Sequence, residues 1–153
     1  LNTINPYGMN MRTPVKGTVP REKFAAADGD TVNSKLMKMD MIARNIGKDD
    51  MASSEALLSN PYPATPENIE AGKTQYERYC QHCHGEAGKG DGLVAKMYKG
   101  VPVYSSDALK SVNDGHIYHT ITHGKGRMWS HASQISSADR WKIVLYVHEL
   151  QKQ

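Results

Sequence analysis

The sequence holds little from which to build a core. It has one phenylalanine and two tryptophans, and only 39% of its 153 residues are hydrophobic. Mean hydropathy is -0.61. Those values are low for a self-sufficient core at this length. The longest unbroken apolar run is Ile143-Val144-Leu145-Tyr146-Val147. A membrane-spanning helix needs about 20 apolar residues, so none is readable here. Neither sign of charge dominates: 19 Lys and Arg against 16 Asp and Glu leave a net charge of +3. That balance lacks the dense basic stripe of a nucleic-acid surface. Only two cysteines are present, three positions apart, which excludes a disulfide scaffold and asks for another explanation. The opening residues 1–6 show neither a charged n-region nor an apolar h-region, so the chain reads as mature or trimmed.

What is there divides near residue 60. Residues 1–23 carry Pro6, Pro14 and Pro20 with Gly8 and Gly17. Proline removes a donor and fixes φ, which excludes a long helix or a central strand. Residues 1–60 therefore read as an extended arm laid on partner subunits, with too few apolar groups to offset its own ordering entropy. Within it, Leu36-Met37-Lys38-Met39-Asp40-Met41-Ile42 sets methionine at every second position, the period of a half-buried strand. Its flanks allow a short helix equally well. These methionines read as adaptable packing rather than as copper or second-haem ligands.

Residues 61–153 read as a mainly α domain. Thr65 is an N-cap with Pro66 at the first helical position and Glu67 in the first turn, opening a helix to about Cys80. Ser111-Val112-Asn113-Asp114 signals a second helix, ending at Gly124. Ser136-Ser137-Ala138-Asp139 opens a third, with Trp141, Val144, Leu145 and His148 on one face. His116, His119 and His123 share a face of the second helix, as a half-exposed polar surface or a surface metal site.

Cys80-Gln81-His82-Cys83-His84 is the attachment signature of c-type haem. Two thiols on one turn of chain can each add to a vinyl group of one porphyrin. The adjacent His84 is then the proximal iron ligand. A thioredoxin-like dithiol needs a βαβ context, which is absent. A zinc site would need a second ligand pair, for which His116, His119 and His123 are the candidates. For the sixth iron ligand the sequence offers Met97, Met128 and His131. Met97 lies too few residues past the motif to cross easily to the other haem face.

Over residues 66–153 the chain resembles class I c-type cytochromes. Gly72, Tyr76 and Cys80 sit four apart on the first helix, and the glycine-rich run Gly88-Lys89-Gly90-Asp91-Gly92 follows the motif. The resemblance implies three to four helices around one covalent haem c, with Gly72 and Tyr76 packed on the last helix. It implies Met128 as distal iron ligand. It also implies that the Val101-Pro102 segment, through Pro102, offers the carbonyl that accepts from the Nδ1–H of His84. Trp129 departs from the proline that usually follows this methionine, and reads as simple loop packing, or as packing over a propionate edge or facing a partner. Tyr79, Tyr98, Tyr104 and Arg127 are candidate propionate partners.

The arm carries a second resemblance. Asn5-Pro6-Tyr7-Gly8, Met11-Arg12-Thr13-Pro14-Val15-Lys16-Gly17-Thr18-Val19-Pro20-Arg21 and Met128-Trp129-Ser130-His131-Ala132-Ser133-Gln134-Ile135 resemble the mono-haem cytochrome subunit of the bacterial alternative complex III. That resemblance implies a subunit on the periplasmic side of the bacterial inner membrane, within a quinol-oxidising respiratory complex. Electrons would arrive through iron–sulfur centres and a multihaem cytochrome and leave to a haem–copper oxidase or a soluble cytochrome. Membrane association would come through partners or a lipidated cysteine upstream of Leu1. The expected role is electron transfer, with no catalysis by the chain alone. The alternatives are an independent mono-haem carrier serving another oxidoreductase, and a gas sensor or enzyme with an open sixth position.

Overall fold

The computed structural model describes residues 31–153. They form six helices: α1 (Thr31–Arg44), α2 (Met51–Leu57), α3 (Pro66–Tyr79), α4 (Gln81–His84), α5 (Asp114–His123) and α6 (Ser137–Gln151). There is no strand among the described residues beyond an isolated bridge between Lys125 and Met128. The expected mainly α architecture is therefore the one observed.

Local chemistry places three of these helices. The Thr65 side chain accepts from the Asn68 amide and Pro66 fills the first turn, where a missing N–H costs nothing. Ser136 caps α6 by accepting from the Asp139 amide. The start of α5 differs from expectation. Asn113 caps it in place of Ser111, accepting from the His116 amide at 3.0 Å, so the helix begins at Asp114.

α3 and α6 make the most extensive interface. Gly72 lets their backbones meet: a Cβ there would overlap the Lys142 carbonyl. Tyr76 fills the crossing and stands edge-on to Tyr146, with centroids 5.2 Å apart. Trp141 stacks on Tyr118 of α5 at 3.9 Å. One apolar face of α6 was expected to be buried. Instead it is enclosed on several sides, with Trp141, Ile143, Val144, Leu145, Val147 and Leu150 all buried.

Residues 31–60 correct the expected arm. They contain α1 and α2, and the alternating methionines wind into helix rather than strand. Leu36 and Met39, three apart, turn inward, while Met41 stays exposed. Leu36, Ile46 and Leu58 join the same core cluster as Trp141 and Val144. The segment packs on the core that α5 and α6 of its own chain supply. The arm reading for residues 1–30 lies outside the described residues.

Polar contacts lock α2 to α5. Asn113 Nδ2 donates to the Glu55 carbonyl at 2.8 Å, and the Asn60 amide donates to Asp114 Oδ2 at 2.9 Å. His119 is 2% exposed, not half-exposed as the helix face suggested. Its Nε2 lies 2.9 Å from the Lys48 carbonyl, which can only accept, so that nitrogen carries the proton. Nδ1 then accepts from the Ser54 hydroxyl at 2.6 Å. α5 and α6 are joined at their far ends by His148 Nε2 and Asp114 Oδ1, 2.7 Å apart.

Two predictions follow from these contacts. Gly72→Ala is expected to destabilise the protein by about 1–3 kcal/mol through overpacking, despite the better helix propensity of alanine, as read by thermal unfolding. The second concerns pH. The hydrogen bond from His148 lowers the Asp114 pKa from 3.8, and the same bond raises that of His148 from 6.5. Asp114's share of the stability is present above pH 3.8 and lost as pH falls through its lowered folded value. His148's share is present below pH 6.5 and lost as pH rises through its raised folded value. The stability difference between wild type and Asp114→Asn in urea titrations is therefore expected to peak between those limits. A height of about 1 kcal/mol allows for the pair's partial exposure.

Candidate haem site

α3 runs into the motif almost without a break. Cys80 closes α3, and its carbonyl accepts from the amides of Cys83 and His84 at 3.2 and 2.9 Å, so both thiols and the imidazole ride on one turn. The glycine-rich loop folds back over that turn. The amides of Gly90 and Gly92 donate to the carbonyls of His84 and Cys83 at 2.8 and 3.2 Å. The Tyr76 hydroxyl donates to the Gly85 carbonyl at 2.7 Å, tying the end of α4 to the α3–α6 crossing.

This turn forms one wall of a cavity of about 880 Å³. Cys80, Cys83 and His84 line it beside Ile117, Thr120 and Ile121 of α5, Ile143 and Val147 of α6, and the loop bearing Met128. Its size is at the upper end of cofactor sites, about 300–1,000 Å³. Lys99, Lys125 and Arg127 also border it.

The electrostatics favour ligation over thiol chemistry. Burial, then the neighbouring Cys83, push the Cys80 thiol up to about 12. Redox dithiols have a lowered thiol, the opposite direction from Cys80. Both thiols are free. Burial, and then the electrostatic effect of nearby His131, pull His84 down to about 4, which leaves a neutral imidazole with a lone pair for a metal. His84 stacks on Tyr104 with centroids 4.8 Å apart. These residues fit a covalent haem: paired free thiols, a neutral imidazole and an apolar cavity of cofactor size share one wall.

The expected carbonyl from Pro102 is not at His84. His84 Nδ1 is buried with no hydrogen-bond partner, while Pro102 is exposed and borders the cavity. The Val101 and Pro102 carbonyls lie instead against Gly90.

Among the sixth-ligand candidates, Met97 is 84% exposed and does not border the cavity. Met128 and His131 both do. Met128 is half-buried against the core and held by a tight hairpin, its amide donating to the Lys125 carbonyl and its carbonyl accepting from the Lys125 amide, each at 3.0 Å. Gly126, the first central residue of that turn, has φ +58, while Arg127 keeps a negative φ. That is the II′ pattern, which places glycine at this position. The His131 amide donates to the Ile121 carbonyl at 3.0 Å and pins the loop's return to α5. Trp129, expected to pack, is 83% exposed and borders the cavity mouth.

Tyr79, Tyr98, Tyr104 and Arg127 all border the cavity. The histidines of α5 do not make a metal site: among the described residues no group of three or more His, Cys, Asp and Glu side chains is arranged to hold an ion. Sequence reasoning missed Thr120, whose buried hydroxyl lacks a partner on the cavity wall. Its place four residues after His116 on the expected helix was the available signal.

Residues 67–147 match the family described as Cytochrome C oxidase, cbb3-type, subunit III. The Cbb3-type cytochrome c oxidase subunit CcoP of Azospirillum brasilense is 28% identical over 130 residues, covering 82% of this chain and 44% of that protein. A chain of the Kuenenia stuttgartiensis reducing HAO-like protein complex Kustc0457/Kustc0458 superposes with a TM-score of 0.53 at 28% identity. That likeness covers 59% of this chain and 46% of the other. The chain thus spans a little under half the length of the relatives it matches.

Cys80→Ser and Cys83→Ser are each expected to leave one thioether, and the double variant none. Mass spectrometry of the denatured protein is the check: the double variant is expected to carry no haem mass.

Proposed function

Since the chain belongs to the family of cytochrome c oxidase, cbb3-type, subunit III, we propose that it is a mono-haem electron relay held within a respiratory complex on the periplasmic side of the bacterial inner membrane. It is a cytochrome c electron-transfer subunit with covalently bound haem c, and cytochrome c domains are typically periplasmic or membrane-associated. Among the described residues no helix is long and apolar enough to cross a membrane.

The observation that carries the reading is the shared cavity: Cys80, Cys83, His84 and Met128 all border it. When bound, the haem supplies a one-electron carrier. Cys80 and Cys83 hold it through thioethers, and His84 offers a neutral nitrogen ligand. Met128 offers a thioether from the opposite loop, which favours the ferrous state and raises the potential. Ile117, Ile121, Ile143 and Val147 line the cavity and would keep water from a bound haem.

We read the host as the alternative complex III, in which electrons from quinol pass through iron–sulfur and multihaem subunits to this haem, then to a haem–copper oxidase or a soluble cytochrome. The motif at residues 5–21 supports this. A second reading, a cbb3-type oxidase as host, is supported by the family match and by CcoP. Purification in mild detergent with mass spectrometry of the subunits separates them. Iron–sulfur and multihaem partners support the first, oxidase subunits the second, and an isolated chain overturns both. Deletion of residues 1–30 is expected to release the cytochrome from the complex.

Ligation has its own test. Met128→Ala is expected to lower the reduction potential and to let the ferrous form bind carbon monoxide at neutral pH. Carbon monoxide binding by the wild type would favour a sensor with an open sixth position.

A further inference from the structure

The Met128 hairpin is closed by only two backbone hydrogen bonds, both to Lys125, yet the distal ligand needs a fixed position. A side-chain chain reaches it from outside the family-matched region. Glu55 of α2 approaches His116 of α5, with Oε1 2.6 Å from Nδ1. The far nitrogen of the same ring, Nε2, lies 3.2 Å from Lys125 Nζ. A carboxylate only accepts and an ammonium only donates, so these neighbours fix the ring as the neutral Nδ1–H tautomer. His116 then passes a hydrogen bond from α2 to the residue that closes the hairpin. Its side chain is 15% exposed and borders the cavity, so its position is set by packing. On the same helix, three positions on, His119 carries its proton on Nε2 and serves only to bind α2.

We propose that Glu55, His116 and Lys125 are positioning residues for the distal ligand, a hydrogen-bonded chain by which α2 holds the Lys125–Met128 hairpin against the haem. The helical segment ahead of the family's domain thereby becomes part of the ligand-holding structure. The proposal rests on the reading of Met128 as distal ligand. A pair of exposed charges alone contributes little. Here the intervening imidazole is largely buried, and what it steadies is a short hairpin closed by two backbone bonds and held at its turn by Arg127, which donates to the Lys99 carbonyl at 3.0 Å, so one further hydrogen bond is a sizeable share of the hold.

The test uses the holoprotein with Glu55→Met, His116→Leu and Lys125→Met, none of which can donate or accept in the chain. It reads the ferric methionine-ligation absorption band, the reduction potential, and hydrogen exchange at the Lys125 and Met128 amides. Each variant is expected to raise the methionine-detached fraction at neutral pH by about five- to tenfold. It should also speed exchange at the two amides while leaving the unfolding midpoint within that of Lys152→Met, a remote charge control. Glu55→Met decides between mechanisms. Removing a negative charge by itself raises the potential, whereas loosening the thioether lowers it. The expected shift is downward. Glu55→Met combined with Lys125→Met should go no further than the larger single effect, and Lys125→Arg should restore the band. An upward or absent shift in Glu55→Met, or the band unchanged in all three variants, overturns the proposal. If Met128→Ala itself leaves the band intact, the ligand reading fails, and the proposal with it.

Discussion

The backbone contact of α3 with α6 at Gly72 governs the rest of the structure. With no side chain between them, the two helices cross close enough for Tyr76 and Tyr146 to meet edge-on. That crossing sets the end of α3, and so the Cys80–His84 turn, opposite the Ile143 and Val147 face of α6. The cavity exists because those elements are held apart on one side while they touch on the other. A chain poor in apolar residues would not keep such a space open for itself, but a covalently held, largely apolar cofactor completes the core there. The low hydropathy of the sequence and the cavity of about 880 Å³ are one fact seen twice.

Histidine chemistry divides along the same lines. His84 is buried and neutral, which suits a metal ligand, and its Nδ1 has no partner. His119 is as buried but fully hydrogen-bonded, and joins α2 to α5. His148 is bonded to acceptors at both ring nitrogens, Asp114 and Gln151, and is held toward its charged form. One residue type thus serves as ligand, as neutral clamp and as ion-pair partner. The difference lies in what each ring nitrogen meets, and burial alone does not separate His84 from His119.

The helices α1 and α2 change how the domain is bounded. The family match begins at residue 67, yet Leu36 is fully buried and Ser54 lies against His119. A family's domain limits describe what its members share, whereas the folding unit here starts earlier. The segment ahead of those limits touches α5, which is also a wall of the haem cavity.

Much of the site was legible from residues alone, because its chemistry is local. Two thiols and an imidazole within five positions sit on one turn whatever the fold, and the caps at Thr65 and Ser136 act within three residues. The cap of α5 was misplaced by two residues because Ser111 and Asn113 compete for the same helix start. The sequence by itself pointed to Cys80 and Cys83 as the attachment point, to His84 as the proximal imidazole, and to the helices that open at Thr65 and Ser136. Tertiary structure alone decided that His131 borders the cavity beside Met128, that Pro102 leaves His84 Nδ1 unpartnered, and that residues 31–60 fold onto their own chain. The physical reason is range. Glu55 meets His116 across 61 positions and Ser54 meets His119 across 65, and no periodicity or spacing rule encodes a contact that depends on where two separate helices come to lie.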